Sequence, residues 1–153
     1  MAREVNLRVN GEKRSIHVED RKLLLDTLRE DLDLKGAHAG CEHGVCGACT
    51  VLLDGVPVRS CLMFAAQAEG HELETVEALS NGGKLSSLQQ AFVDNLGSQC
   101  GYCTPGMLLT AMAFLEKNPD PTEEQAREAI SGNLCRCTGY EGIVQSILAA
   151  AAK

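Results

Sequence analysis

The chain is 153 residues long, carries a formal net charge of −7, and has no Trp, two Tyr and three Phe. A core must therefore be built from aliphatic side chains, and the acidic balance argues against a nucleic-acid partner, whose phosphates it would repel. No stretch approaches the roughly 20 apolar residues of a membrane span.

From the N-terminus, Val5, Leu7 and Val9 alternate with polar residues, Asn10-Gly11 marks a turn, and Ile16 and Val18 continue a second run. Asn-Gly between alternating runs predicts a β-hairpin. Asp20 then offers an N-cap for a helix with Leu24, Leu28 and Leu32 on one face and Leu25 beside it. Residues 35–40 read as a loop. Residues 50–53, Asp54-Gly55 and residues 56–60 predict a second hairpin, and a strand over 72–76 closes this half.

From about Ala78 the pattern turns helical. Leu85, Leu88, Phe92 and Leu96 fall on one helical face, with Gly97 as a stop. Thr104-Pro105 predicts an N-cap and first-turn pair for a helix to Lys117. Asn118-Pro119-Asp120-Pro121 breaks the chain, Thr122 with Gln125 predicts a capping box, and a last helix is expected over 140–152, burying Ile143, Ile147 and Leu148. The expected class is α+β: a mixed domain over 1–77 and an all-α four-helix domain over 78–153. Each half is so small that a hydrophobic core alone would be marginal, and a metal site commonly supplies the missing stability.

The eight cysteines provide for that. Gly40-Cys-Glu-His-Gly-Val-Cys-Gly-Ala-Cys-Thr50 spaces Cys41, Cys46 and Cys49 as Cys-x4-Cys-x2-Cys, and Cys61 follows after eleven residues. This is the plant-type [2Fe–2S] ligand pattern. Two tetrahedral irons joined by two sulfides need four thiolates on opposite sides of a flat anionic unit. A short loop can wrap three of them around it only if its backbone turns freely, and Gly40, Gly44 and Gly47 supply that freedom. Cys41-Glu42-His43 spells half of a Rieske signature, but the other half is missing, so His43 is expected to be a loop residue. His17, His38 and His71 are scattered singly.

In the helical half, Cys100-Gly-Tyr-Cys103 and Cys135-Arg-Cys137 are expected to open the second and fourth helices, bringing two helix N-termini to one anionic site. By spacing alone this second group suits an iron–sulfur cluster or a structural zinc, which also takes four thiolates. Disulfides are disfavoured because the first residues, Met-Ala-Arg-Glu-Val-Asn-Leu, contain no apolar export segment; the expected compartment is the cytoplasm, where thiols stay reduced. Two filled clusters would take the net charge to roughly −11, since ligating thiols are deprotonated. No Gly-x-Gly-x-x-Gly, Walker or Ser/His/Asp set is present, so electron transfer on behalf of another chain is the expected role. A free-standing two-cluster ferredoxin and a zinc-stabilised interaction module are the rival readings.

These residues, with Gln99-Cys-Gly-Tyr-Cys-Thr-Pro-Gly-Met107 and Gly132-Asn-Leu-Cys-Arg-Cys-Thr-Gly-Tyr140, resemble the small iron–sulfur subunit of the molybdenum hydroxylases, the xanthine dehydrogenase, aldehyde oxidoreductase and aerobic carbon monoxide dehydrogenase group. The resemblance covers essentially the whole chain. It implies a β-grasp ferredoxin-like domain followed by a helical domain, with Cys41, Cys46, Cys49 and Cys61 on one [2Fe–2S] cluster and Cys100, Cys103, Cys135 and Cys137 on another. It also implies a large subunit holding a molybdenum–pterin cofactor near Gln99 and Cys137. Beyond these it implies a medium FAD subunit near the Cys41–Cys49 loop, or else an external acceptor, and a dimer of heterotrimers.

Overall fold

A computed structural model describes residues 2–80 and 82–151. Strands β1 (Ala2–Val9) and β2 (Glu12–Glu19) form the first hairpin, in register Val5 opposite Ile16 and Val9 opposite Glu12. Asn10 and Gly11 take φ of 53° and 78°. Consecutive left-handed residues are the turn whose twist matches that of antiparallel strands. Strands β3 (Thr50–Leu53) and β4 (Val56–Arg59) form the second hairpin around Asp54 and Gly55, at 50° and 75°. Strand β5 (Glu72–Glu74) lies between the hairpins, parallel to β1 and antiparallel to β3, giving the order β2-β1-β5-β3-β4.

Against this sheet lies one helical turn, α1 (Leu24–Asp26), which continues as a π-turn over Thr27–Asp31 closed by the Leu32 N–H on the Thr27 carbonyl at 3.1 Å. Leu24, Leu25 and Leu28 are buried with Val5, Leu7, Val9, Val18 and Leu73 in the first core, while Leu32 packs at its edge. The expected cap at Asp20 is not used. The capping position is Leu23, because residues 22–24 are held extended against 63–65: the Leu24 N–H donates to Met63 O at 2.7 Å and the Ala65 N–H to Lys22 O at 2.9 Å.

The second half holds α2 (Ser87–Asp94), α3 (Thr104–Lys117), α4 (Glu123–Ala129) and α5 (Glu141–Ala151). Phe92, Met107, Ala111, Ile130, Ile143 and Ile147 are buried together in a second core, with Leu148 at its edge. The Thr122–Gln125 capping box forms with both of its bonds, and Ser86 with Gln89 makes another. Leu85 and Leu96 depart from expectation. Helix α2 is only eight residues long, so both fall outside it, 49% and 77% exposed. The stop is made by Leu96 itself, at φ 55°, with the Gly97 N–H on Phe92 O at 2.8 Å and the Leu96 N–H on Val93 O at 3.4 Å. In α3 the capping position is Cys103, so Thr104-Pro105 lies one residue further into the helix than expected.

Helix α3 joins the halves. One side enters the second core, while Leu109 and Ala113 pack on Leu52 of β3. Strand β3 is consequently buried on both faces: Val51 points into the first core and Leu52 towards α3.

Candidate metal centres

The first group of thiols is built by a loop and a hairpin. Cys41 and Cys46 are half-buried, Cys49 and Cys61 buried. The loop turns through Glu42, Gly44 and Gly47, all at positive φ, while Gly40 keeps an ordinary φ but leaves no room for a side chain: a Cβ there would lie 2.8 Å from Cys46 Sγ. Cys61 returns to the loop because the β3–β4 hairpin pairs its neighbour Ser60 with Cys49, whose carbonyl accepts the Ser60 hydroxyl at 2.7 Å. Peptide N–H groups converge on Cys41: the Cys46 N–H donates to its sulfur at 3.4 Å, and with the His43 and Val45 N–H groups it brings the thiol down to about 6. Burial, then the adjoining Cys49 sulfur, pushes Cys61 up to about 11. The His43 ring donates its Nδ1–H to the Cys41 carbonyl at 2.5 Å.

The second group gathers Cys100 and Cys137, both exposed, with Cys103 and Cys135, both half-buried. Burial, then Cys135, pushes Cys103 up to about 12. Burial also opposes ionisation of Cys135, but the Thr138 hydroxyl 3.1 Å from its sulfur, with the Thr138 and Cys137 N–H groups, brings it below its ordinary value. The side chain of Cys100 raises Cys137. Only one of these cysteines caps a helix. Cys103 stands at the start of α3, whereas α5 begins at Glu141, four residues after Cys137, because Thr138, Gly139 and Tyr140 turn the chain first, with Tyr140 at φ 70°. In place of a helix end, the Tyr140 hydroxyl accepts the Cys135 N–H at 2.9 Å and Thr138 Oγ1 accepts the Tyr140 N–H at 3.1 Å.

Within each group the thiols influence one another: Cys61 feels Cys49 and also Cys41, Cys103 feels Cys135 and also Cys100, and Cys137 feels Cys100 and also Cys135. Among the described residues no three or more His, Cys, Asp or Glu side chains converge as the ligands of a single ion. Four thiols in each group, with peptide N–H and hydroxyl donors around them, supply the ligands and the hydrogen bonds that a two-iron unit takes. A metal cation there takes the place of the protons that burial otherwise forces onto Cys61 and Cys103.

The two groups are also tied together. Tyr102, between Cys100 and Cys103, donates its hydroxyl to Ala39 O at 2.6 Å and stacks on His38 with ring centroids 4.6 Å apart, and His38 Nδ1–H donates to Tyr102 O at 2.7 Å. His38, unassigned in the sequence, thus braces the approach to Cys41. Gln99 and Arg136 are exposed beside the exposed cysteines. Asn133, Thr50 and Thr110, which are buried, form with the half-exposed Arg59 a network between the loops that carried no sequence signal beyond the nearness of Asn133 to Cys135.

Comparison with known proteins matches residues 7–80 to a 2Fe-2S iron–sulfur cluster binding domain and residues 75–148 to a [2Fe-2S] binding domain. The nicotine 6-hydroxylase small subunit of Paenarthrobacter nicotinovorans is 54% identical over 145 residues, covering 95% of this chain and 87% of that one. The nicotinate dehydrogenase small FeS subunit of Eubacterium barkeri is 56% identical over 136 residues, 89% of this chain and 87% of that one. The chain belongs to the small iron–sulfur subunits of the molybdenum hydroxylases. Its cofactors are two [2Fe–2S] clusters, and it is a subunit of an oxidoreductase complex with an electron-transfer role. The β-grasp and helical architecture of such subunits recurs in quinoline 2-oxidoreductase from Pseudomonas putida 86, with a TM-score of 0.96 at 51% identity over 99% of this chain and 94% of that one. In aldehyde oxidoreductase from Desulfovibrio desulfuricans the TM-score is 0.93 at 40% identity, and the subunit fold corresponds to 17% of that longer polypeptide. In this small subunit no described helix is long and apolar enough to cross a membrane.

Proposed function

We propose that the chain relays electrons from a molybdenum–pterin site on a large subunit to FAD on a medium subunit, or to an external acceptor. In this reading Cys41, Cys46, Cys49 and Cys61 hold one [2Fe–2S] cluster, and Cys100, Cys103, Cys135 and Cys137 the other. The division falls at 77/78. When bound, each cluster supplies a one-electron centre.

The observation that carries the reading is the presence of neighbouring thiols in two groups whose segments are themselves bonded to each other, the Leu134 N–H donating to Cys46 O at 2.8 Å. The residues do three things. The cysteines present thiolates; the N–H groups at Cys41 and the Thr138 hydroxyl at Cys135 stabilise negative charge on sulfur; Gly40, Gly44 and Gly47 let the loop backbone close around the first group. Exposed Gln99 and Cys137 form the edge that meets the pterin-bearing partner, and the Cys41–Cys49 loop the edge that meets the flavin.

The assembly is a dimer of heterotrimers in the cytoplasm, where eight unpaired thiols remain reduced. Its substrate is a nitrogen heteroaromatic compound hydroxylated on the large subunit. Support comes from the names of relatives above 50% identity, which include a nicotine 6-hydroxylase, a nicotinate dehydrogenase, a caffeine dehydrogenase, a 6-hydroxypseudooxynicotine dehydrogenase and a quinoline 2-oxidoreductase.

The test uses native complex carrying Cys103→Ser, a residue of the second group. Substrate then fails to reduce the flavin while the large subunit still loads molybdenum. Flavin reduction at the parent rate, or a parent chain that purifies as a stable monomer without partners, contradicts the proposal.

A further inference from the structure

Two side chains that touch no sulfur tie the metal loops into one body. Asn133 is 2% exposed, and every polar atom of its amide that could be left stranded is engaged. Its Nδ2 donates to Gly47 O at 3.1 Å and to Thr50 Oγ1 at 3.2 Å, and its Oδ1 accepts the Thr110 hydroxyl at 3.0 Å. Thr50 gives its own hydrogen to Gly47 O at 2.6 Å, so its oxygen is free to accept from both sides. On the other side that oxygen accepts from Arg59.

Arg59 lies two residues before Cys61 and straddles the seam. Its Nε donates to Gly44 O at 3.3 Å, Nη1 to Thr50 Oγ1 at 2.7 Å, and Nη2 to Gly132 O at 2.5 Å. Gly44 belongs to the loop of the first group, and Gly132 opens the segment that leads to Cys135 and Cys137. One rigid fork thus meets acceptors on three segments, which the point charge of a lysine cannot do. Between the two side chains the backbones are already in contact, since the Leu134 N–H donates to Cys46 O.

We propose that Arg59 and Asn133 are positioning residues that lock the Cys41–Cys49 loop to the 132–137 segment, so that this chain alone sets the separation and mutual orientation of the two metal centres before any partner docks. The proposal rests on the assignment of both cysteine groups as [2Fe–2S] sites. Electron exchange between two centres falls steeply with distance, and a spacing held within one chain does not vary with the fit of the neighbouring subunits.

The readout is the magnetic dipolar splitting between the two reduced centres, measured by electron paramagnetic resonance on the native complex carrying Arg59→Met, Arg59→Lys or Asn133→Ser. Both centres keep their full iron content. Arg59→Met and Asn133→Ser lose the resolved splitting as the spacing spreads, and Arg59→Lys recovers part of it by holding one acceptor. A lower thermal midpoint with unchanged splitting in Arg59→Met overturns the proposal, because a merely stabilising role moves only the first. Arg59 is at the partly exposed edge of the seam, so this variant decides the matter even where Asn133→Ser fails to fold. Absence of iron from either centre of the parent complex instead overturns the cluster assignment.

Discussion

The backbone N–H of Leu134 donates to the carbonyl of Cys46 at 2.8 Å, so a cysteine of the first metal loop and the residue preceding Cys135 share one hydrogen bond across 88 positions of sequence. The bond is possible because α3 approaches the same loop without a side chain between them. Gly106, in its first turn, comes so near that a Cβ would lie 2.4 Å from Gly47 O; Gly47, at φ 75°, would in turn press a Cβ to 2.6 Å from Gly132 O. The seam is a place where backbone meets backbone.

Gly106→Ala therefore destabilises the seam although alanine is the better helix former. Overpacking of this kind costs about 1–3 kcal/mol, which outweighs the propensity gain of about 1 kcal/mol at most. Hydrogen exchange in the native complex reads it: the Leu134 amide exchanges several-fold to about thirtyfold faster in the variant. Unchanged or slower exchange contradicts the packing argument.

Local patterns made much of this molecule legible in advance. Asn10-Gly11 and Asp54-Gly55 each carry their turn within two residues, and the cysteines announce themselves by spacings of a few positions. What was hidden depends on distant partners. Arg59 meets Gly132 across 73 positions and Asn133 meets Gly47 across 86. Likewise, nothing near Asp20 says that residues 22–24 will pair with 63–65 and delay the helix to Leu24. Leu85 and Leu96 fit a helical face by periodicity, yet a capping box at Ser86 and a left-handed stop at Leu96 shorten α2 and leave both in solvent.

The Thr138 hydroxyl lies 3.1 Å from Cys135 Sγ. With the sulfur ligated as a thiolate it can only accept, so the hydroxyl donates. Donors to cluster sulfurs favour the reduced, more negative state. In a redox titration followed by electron paramagnetic resonance, Thr138→Val lowers the potential of one of two signals and Thr138→Ser restores it. A shift in both signals, or in neither, contradicts the assignment.

Lys22 bridges Asp31 at 2.8 Å and Glu30 at 3.1 Å. The Asp31 carboxylate first, against some burial, and then Glu30 raise its ammonium above the ordinary lysine value. A group whose folded value is raised contributes stability in full below its unfolded value, about 10.4, and loses it as pH climbs through the folded value. Lys22→Met is thus less stable than the parent by up to about 1 kcal/mol at pH 7 to 9, and the two converge above about pH 10.5. A gap in thermal midpoint that persists or widens there contradicts the bridge as its source.

The account stands on eight sulfurs divided equally between two iron centres. Anomalous diffraction from crystals of the native complex, collected on both sides of the iron absorption edge, tests this most directly. The account predicts two separate peaks, one enclosed by Cys41, Cys46, Cys49 and Cys61 and the other by Cys100, Cys103, Cys135 and Cys137, each of two irons. A peak at only one of them, or a signal at either that appears at the zinc edge and not at the iron edge, contradicts it.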